Sequence, residues 1–203
     1  MQITVISPES DDPREVRILE GFLAEGLEHY HVRKPGWDEG RTEAWLRDLP
    51  VTWRPRLVLH GHAGLAAKLG LGGSHAKDAG DEASNAAIAR SCHDLAALQR
   101  RLGRYRALFF GPVFPSLTKA GYAPAPDFPW DKLQAVLTQR PSQSQTRVFA
   151  VGGITGAGLP RCHKLGFDGV AVLGAVWTSP DPSGAFLTLR DAAAALGAVR
   201  HAA

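Results

Sequence analysis

The chain has 203 residues, 44% of them hydrophobic and 21% charged, with a formal net charge of +3. That is ordinary composition for one packed domain over 1–203. The slight, scattered positive surplus suits a small anionic ligand and excludes a nucleic-acid surface. Two cysteines, Cys92 and Cys162, make neither a disulfide framework nor a C-x-x-C metal site; no signal-like leader opens the chain, and no apolar run nears the ~18 residues of a membrane span, so a reducing cytoplasm is expected.

Eight short apolar runs follow one another: 3–7, 29–33, 56–60, 71–75, 86–93, 107–114, 147–153 and 169–174. Between and after them, helices are predicted over 13–25, 38–48, 62–69, 94–102, 129–138, 156–165 and 184–197. Residues 76–85, "AKDAGDEASN", read as a loop with at most one turn, and 140–147, "RPSQSQTR", as a polar loop. Strands alternating with helices imply parallel βαβ units. Eight of them in this length predict an α/β fold, a single (β/α)₈ TIM barrel. An open doubly wound sheet is the rival, and it is disfavoured because no G-x-G-x-x-G follows the first run.

A barrel carries its site at the C-terminal strand ends, so the run ends nominate the chemistry. The second run ends in Arg33, Lys34 and Pro35. Strand alternation puts His31 and Arg33 on one face and turns Lys34 away to solvent. The third run ends in His60, Gly61 and His62, and the fourth in Ser74 and His75. His60, His62 and His75 form a conceivable three-histidine zinc site. No fixed motif supports it, so polar lining is the preferred reading and no metal ligand is assigned.

The fifth run ends in Ser91, Cys92 and His93. Asp94 is placed to cap the next helix, and Cys92, facing opposite to His93, reads as a buried structural thiol. The sixth run leads into Ser116, Thr118 and Lys119, two hydroxyls and an ammonium suited to anionic oxygens. Gly152-Gly153 and Gly174-Ala175 end the last two runs where helices begin. Such glycines let a phosphate approach backbone N–H groups. His163 and His201 read as solvated. Trp37 and Trp130, near strand ends, are candidates to stack on a ring.

"GPVFPSLTKAGY", "VGGI" and "GVAVLGAVW", in this order, with "HYHVRKPGW" and "SCHDLAAL" upstream, resemble the thiamine phosphate synthase/TenI family of small TIM barrels over nearly the whole chain. The resemblance implies a thiazole phosphate whose phosphate meets Gly152, Gly153, Gly174 and Ala175. In the synthase branch, Ser116, Thr118 and Lys119 would serve the pyrophosphate of a pyrimidine, with Mg²⁺ on the leaving group. That branch supplies an Asn-Asp pair after the third strand, where this chain has His60-Gly61. Asp78 stands as its second carboxylate, and Pro35 replaces the lysine of its R-x-K pattern.

In the TenI branch, a histidine in an S-x-H-S-like segment carries a proton between two carbons of a thiazole phosphate carboxylate. Ser91-Cys92-His93-Asp94 matches that segment. Imidazole both accepts and donates near neutral pH and needs no metal for this.

The expectation is a thiazole tautomerase without cofactor, with His93 and Lys119 as catalytic groups. His31, Arg33, Ser116, Thr118 and the glycine turns would bind a small phosphorylated thiazole or pyrimidine. The alternatives are a Mg²⁺-dependent thiamine phosphate synthase and a non-catalytic thiamine phosphate-binding regulator. No nucleic-acid or membrane partner is expected, and a homo-oligomer stays open.

Overall fold

The computed structural model describes residues 1–78, 87–140 and 144–199. Eight strands, β1 Gln2–Ile6, β2 Tyr30–Val32, β3 Leu57–His60, β4 Gly73–Ala76, β5 Ala87–Cys92, β6 Ala107–Phe110, β7 Arg147–Val151 and β8 Gly169–Val172, close into one barrel in sequential order. Every pairing is parallel, and β8 returns to β1 through Val172 opposite Val5. The predicted runs all become strands, but those at 107–114 and 147–153 stop at Phe110 and Val151, where the chain bends into site loops.

Side-chain alternation sorts two layers. Leu108 and Phe110 of β6 face the helices, whereas Phe109 points into the lumen with Ile6, Ala89, Phe149 and Ala171. Phe109 and Phe149 stack at 5.1 Å, and they form an apolar plug. Against Phe109 lie His31 and His75, each 4.7 Å away between ring centroids. The lumen therefore turns from apolar to polar along its axis.

The outer ring is α1 Glu15–Ala24, α2 Glu39–Asp48, α3 Ala63–Lys68, α4 Leu95–Arg101, α5 Trp130–Thr138, α6 Leu159–Leu165, α7 Gly174–Trp177 and α8 Pro182–Val199. Helix α1 buries Ile18, Leu19, Phe22 and Leu23, a helical stripe facing the sheet. Asp38 caps α2 by accepting from the Arg41 amide at 2.7 Å, and Asp94 caps α4 by accepting from Ala97 at the same distance. The 3₁₀ segment Val51–Arg56 and the single turn α7 were not foreseen. The first is masked by Pro50 and Pro55 and the second is too short to show a period. The loop expected over 76–85 lies, from residue 79 onward, outside the described residues.

The ring is tied at its N-terminal end. The Asp168 carboxylate takes hydrogen bonds from Arg140 at 2.6 and 3.0 Å and from the Val148 amide at 2.7 Å. Its carbonyl accepts from the Gln2 amide at 3.0 Å, and the terminal ammonium reaches Ala193 O of α8 at 2.8 Å. No helix among the described residues is long and apolar enough to cross a membrane.

Candidate active site

A cavity of about 800 Å³ opens at the C-terminal strand ends. His60 and His75 form part of its floor. Their rings stack at 4.1 Å with 10° between planes, because β3 and β4 pair them directly opposite. His31 lies beneath and does not line the cavity; its Nδ1 is 3.1 Å from His60 Nε2. His75 Nε2 is 2.8 Å from Ser91 Oγ. Burial holds all three imidazoles below the ordinary histidine range, His75 down to about 3, so they are neutral. His62, expected beside His60 and His75, instead sits at the head of α3 with φ 43° and its Nδ1 2.8 Å from Glu39. His31 takes its place because residues two apart across a strand end diverge once Gly61 turns the chain.

At one rim stands a trio that the sequence did not reveal. Glu9, just after β1, pairs with Arg33 and stands 3.2 Å from Lys119 Nζ. Partial burial pushes the Glu9 carboxyl up, but the Lys119 hydrogen bond and the Arg33 charge outweigh it and hold the group below the usual carboxylate range. The only signal was an acidic residue at the same strand end as the other site groups.

Arg33 faces the cavity as predicted. Lys34 is a correction, since it is buried rather than solvated. Its ammonium pairs with Glu15 of α1 and donates to Pro8 O at 2.8 Å, while Tyr30 Oη donates to the other Glu15 oxygen at 2.7 Å. Glu15 opens α1 directly above the end of β2, so the outward lysine meets a carboxylate before it reaches water.

The loop after β6 extends the rim from Lys119 over the β7 end. Val113 N donates to Val151 O at 3.0 Å and Phe114 N to Gly152 O at 3.1 Å, drawing the loop over the β7 end. The Ser116 hydroxyl accepts from the Thr118 and Lys119 amides at 3.3 and 3.0 Å, which folds the hydroxyl-rich stretch into a turn. Ser116, Thr118 and Lys119 all line the cavity, with exposed Leu117 and Tyr122 at the lip.

Gly152 and Gly153 line it too, at φ 92° and 64°. A side chain at Gly153 would meet Pro115 O at 2.1 Å, so this glycine serves the loop's close approach. Gly174 lines the cavity and abuts Leu117. Ala175, one step into α7, packs its side chain on the core, leaving its amide in the helix's first turn.

His93 lines the cavity from the end of β5. Its Nδ1 donates to Gly111 O at 2.7 Å, since a carbonyl can only accept. The neutral ring therefore keeps Nε2 as its basic nitrogen. Asp94 caps α4 at the same time, so the capping role and the cavity role belong to neighbouring residues. Cys92 is buried on the opposite face and burial pushes its thiol up, as a structural cysteine requires.

Asp78 is pinned. It pairs with Arg101 and accepts from the His93 amide at 3.1 Å. Among the described residues, Glu9 and Asp78 are the carboxylates lining the cavity, and each already holds a cation. Position 61 is glycine. The donor set of the described residues does not fit an octahedral, oxygen-rich Mg²⁺ site. Of the two tryptophans nominated, Trp37 lines the cavity, while Trp130 packs on Phe128 at 4.5 Å away from it.

Closed parallel strands with convergent polar groups at their C-terminal ends define a (β/α)₈ barrel carrying a ligand site in the usual place. The family model described as thiamine monophosphate synthase matches residues 3–176, and the chain belongs to this thiamine phosphate synthase/TenI family. A thiamine-phosphate synthase of Methylobacillus flagellatus is 32% identical over 186 residues, covering 85% of each chain. One of Chromobacterium violaceum is 28% identical over 188 residues, covering 86% of this chain and 87% of its own. A thiamine phosphate pyrophosphorylase from Bacteroides thetaiotaomicron shares the fold with TM-score 0.75 at 24% identity, covering 95% of this chain and 98% of its own. One from Pyrococcus furiosus superposes with TM-score 0.77 at 19% identity, covering 96% of both chains.

Proposed function

We propose that this protein, an enzyme of thiamine biosynthesis, is a thiazole tautomerase that moves one proton within a thiazole phosphate carboxylate. One observation carries the reading: His93 stands in the cavity with Nδ1–H anchored to Gly111 O and Nε2 left as the base. Nε2 takes the proton from the ring carbon, and the resulting imidazolium returns it to the exocyclic carbon. One proton leaves and one arrives, so the ring becomes aromatic with no change in composition. General acid–base catalysis of this kind is worth ~10²–10⁴-fold.

The substrate has two anionic ends, and the cavity has two places for them. The amides of Gly152, Gly153 and Gly174, which line the cavity, and of Ala175 in the first turn of α7 receive the phosphate. Arg33 and Lys119 receive the carboxylate once Glu9 yields them. Ser116 holds the turn that places Lys119, Thr118 adds a hydroxyl at the rim, and His31 supports the floor.

A second reading has its own support. The relatives from Methylobacillus flagellatus and Chromobacterium violaceum carry the name thiamine-phosphate synthase. In that reaction, Mg²⁺ would neutralise a departing pyrophosphate, and the two described carboxylates of this cavity, Glu9 and Asp78, are committed to Arg33, Lys119 and Arg101. Incubation with hydroxymethylpyrimidine pyrophosphate, thiazole phosphate and Mg²⁺, with product detection by mass, decides between the two. The tautomerase reading expects no thiamine phosphate, and Mg²⁺-dependent coupling replaces it with the synthase. Ligand binding with turnover in neither assay identifies a silent binder.

A further inference from the structure

We propose that His31, His60 and His75 form a site for one late first-row transition-metal dication, with Zn²⁺ the best match, whose open coordination position faces the cavity. One ring nitrogen from each histidine lies within 4.8 Å of the others, the sole such trio among the described residues. Tetrahedral Zn²⁺ with bonds of 2.0–2.1 Å sets its nitrogen ligands roughly 3.3 Å apart. His31 Nδ1 and His60 Nε2 are already at 3.1 Å. Adjacent strands β2, β3 and β4 bring the rings together; because the His60 and His75 rings stack with nearly parallel planes, loading turns the His60 ring about its Cβ–Cγ bond so that its in-plane lone pair meets the ion.

His75 supplies an independent sign. Its Nδ1 is buried and finds no hydrogen-bond partner among the described residues. Its Nε2 meets Ser91 Oγ at 2.8 Å. A ring that donates Nε2–H to a second-shell oxygen presents Nδ1 as a lone pair, the form in which histidine ligates metal. Packing among the described residues leaves that nitrogen unsatisfied, and ligation to an ion held by the trio would satisfy it.

Burial keeps the rings neutral, as ligation requires. The proton shared by His31 and His60 moves to the far nitrogen of its own ring on loading, so no net proton is released. Three imidazoles with neither carboxylate nor thiolate favour Zn²⁺, Cu²⁺ or Ni²⁺ over Mg²⁺ or Ca²⁺. The positive charges acting on His75 come from Arg33 and Arg90, and they disfavour a bare dication. His60 and His75 line the cavity floor, so an anionic group entering from above completes the coordination and offsets this charge.

The test is titration of chelator-stripped wild-type protein with Co²⁺, followed in the visible, and elemental analysis of zinc after gel filtration. The expected result is tetrahedral d–d absorption saturating at one equivalent and one zinc retained per chain. His60→Gln and His75→Gln, checked for folding by circular dichroism, should weaken Co²⁺ binding at least tenfold, and His62→Gln should leave it unchanged. Ser91→Ala leaves the three rings in place and serves if either variant fails to fold. It should weaken binding about 10–100-fold. Wild-type protein without the absorption and without retained zinc overturns the proposal. So does binding that is lost in His62→Gln or indifferent to changes at His60, His75 and Ser91.

Discussion

His93 and Glu9 are single residues whose surroundings set their chemistry. His93→Asn keeps a polar group of similar size and removes the titrating nitrogen. Tautomerisation should fall about 10²–10⁴-fold while affinity for thiazole phosphate, measured by calorimetry, stays within about twofold. Equal loss of affinity and rate would place His93 in binding instead. Glu9 occupies the two cations that an incoming anion needs. Glu9→Gln keeps the shape but withdraws the competing charge, so affinity for a phosphate-and-carboxylate ligand should rise several-fold, and more so at low salt. Weaker binding would show that Glu9 positions Arg33 and Lys119 rather than competing for the ligand. His93 was nominated by the resemblance of the Ser91-Cys92-His93-Asp94 segment, and it does line the cavity. Glu9 was not legible in the sequence, because its partners come from the loops after β2 and β6, and pairing across loops leaves no periodic trace.

Strands and helices were read well where their patterns are long. The eight runs and the amphipathic α1 follow from burial on known faces, and the capped α2 and α4 follow from Asp38 and Asp94. What the pattern could not carry was the outward partner of a strand end. Lys34 reads as a surface lysine until α1 places Glu15 over it. Because both charges are buried, removing one strands the other. Lys34→Met should destabilise the protein by about 3–5 kcal/mol in denaturant unfolding. The Lys34→Met/Glu15→Leu double change should recover much of that loss. Additive losses in the double variant would show that the pair is not energetically coupled. The glycine turns carry a similar lesson. Read from sequence they suggested a phosphate cradle, and the structure adds that the same glycines admit the β6 loop, so bulk there strikes backbone.

Across the whole molecule, stability and chemistry lie at opposite ends of the barrel. The Asp168 clamp fastens β7, β8 and β1 far from the cavity. Asp168→Ala should cost about 2–3 kcal/mol of stability through its charge-assisted hydrogen bonds and leave ligand affinity unchanged. A large affinity loss at unchanged stability would contradict that division. The cavity end carries the central claim, proton transfer within one ligand by His93. Its most direct test is to run the reaction on the non-aromatic thiazole phosphate carboxylate in D₂O without added Mg²⁺. The expected product is the aromatic isomer, formed by wild-type protein and at a far lower rate by His93→Asn, with protium kept at the exocyclic carbon in a measurable share of molecules because the imidazolium returns the proton it took, and at most one deuterium there in the rest. Unchanged, unlabelled substrate, together with Mg²⁺-dependent release of pyrophosphate when the pyrimidine is supplied, would contradict it.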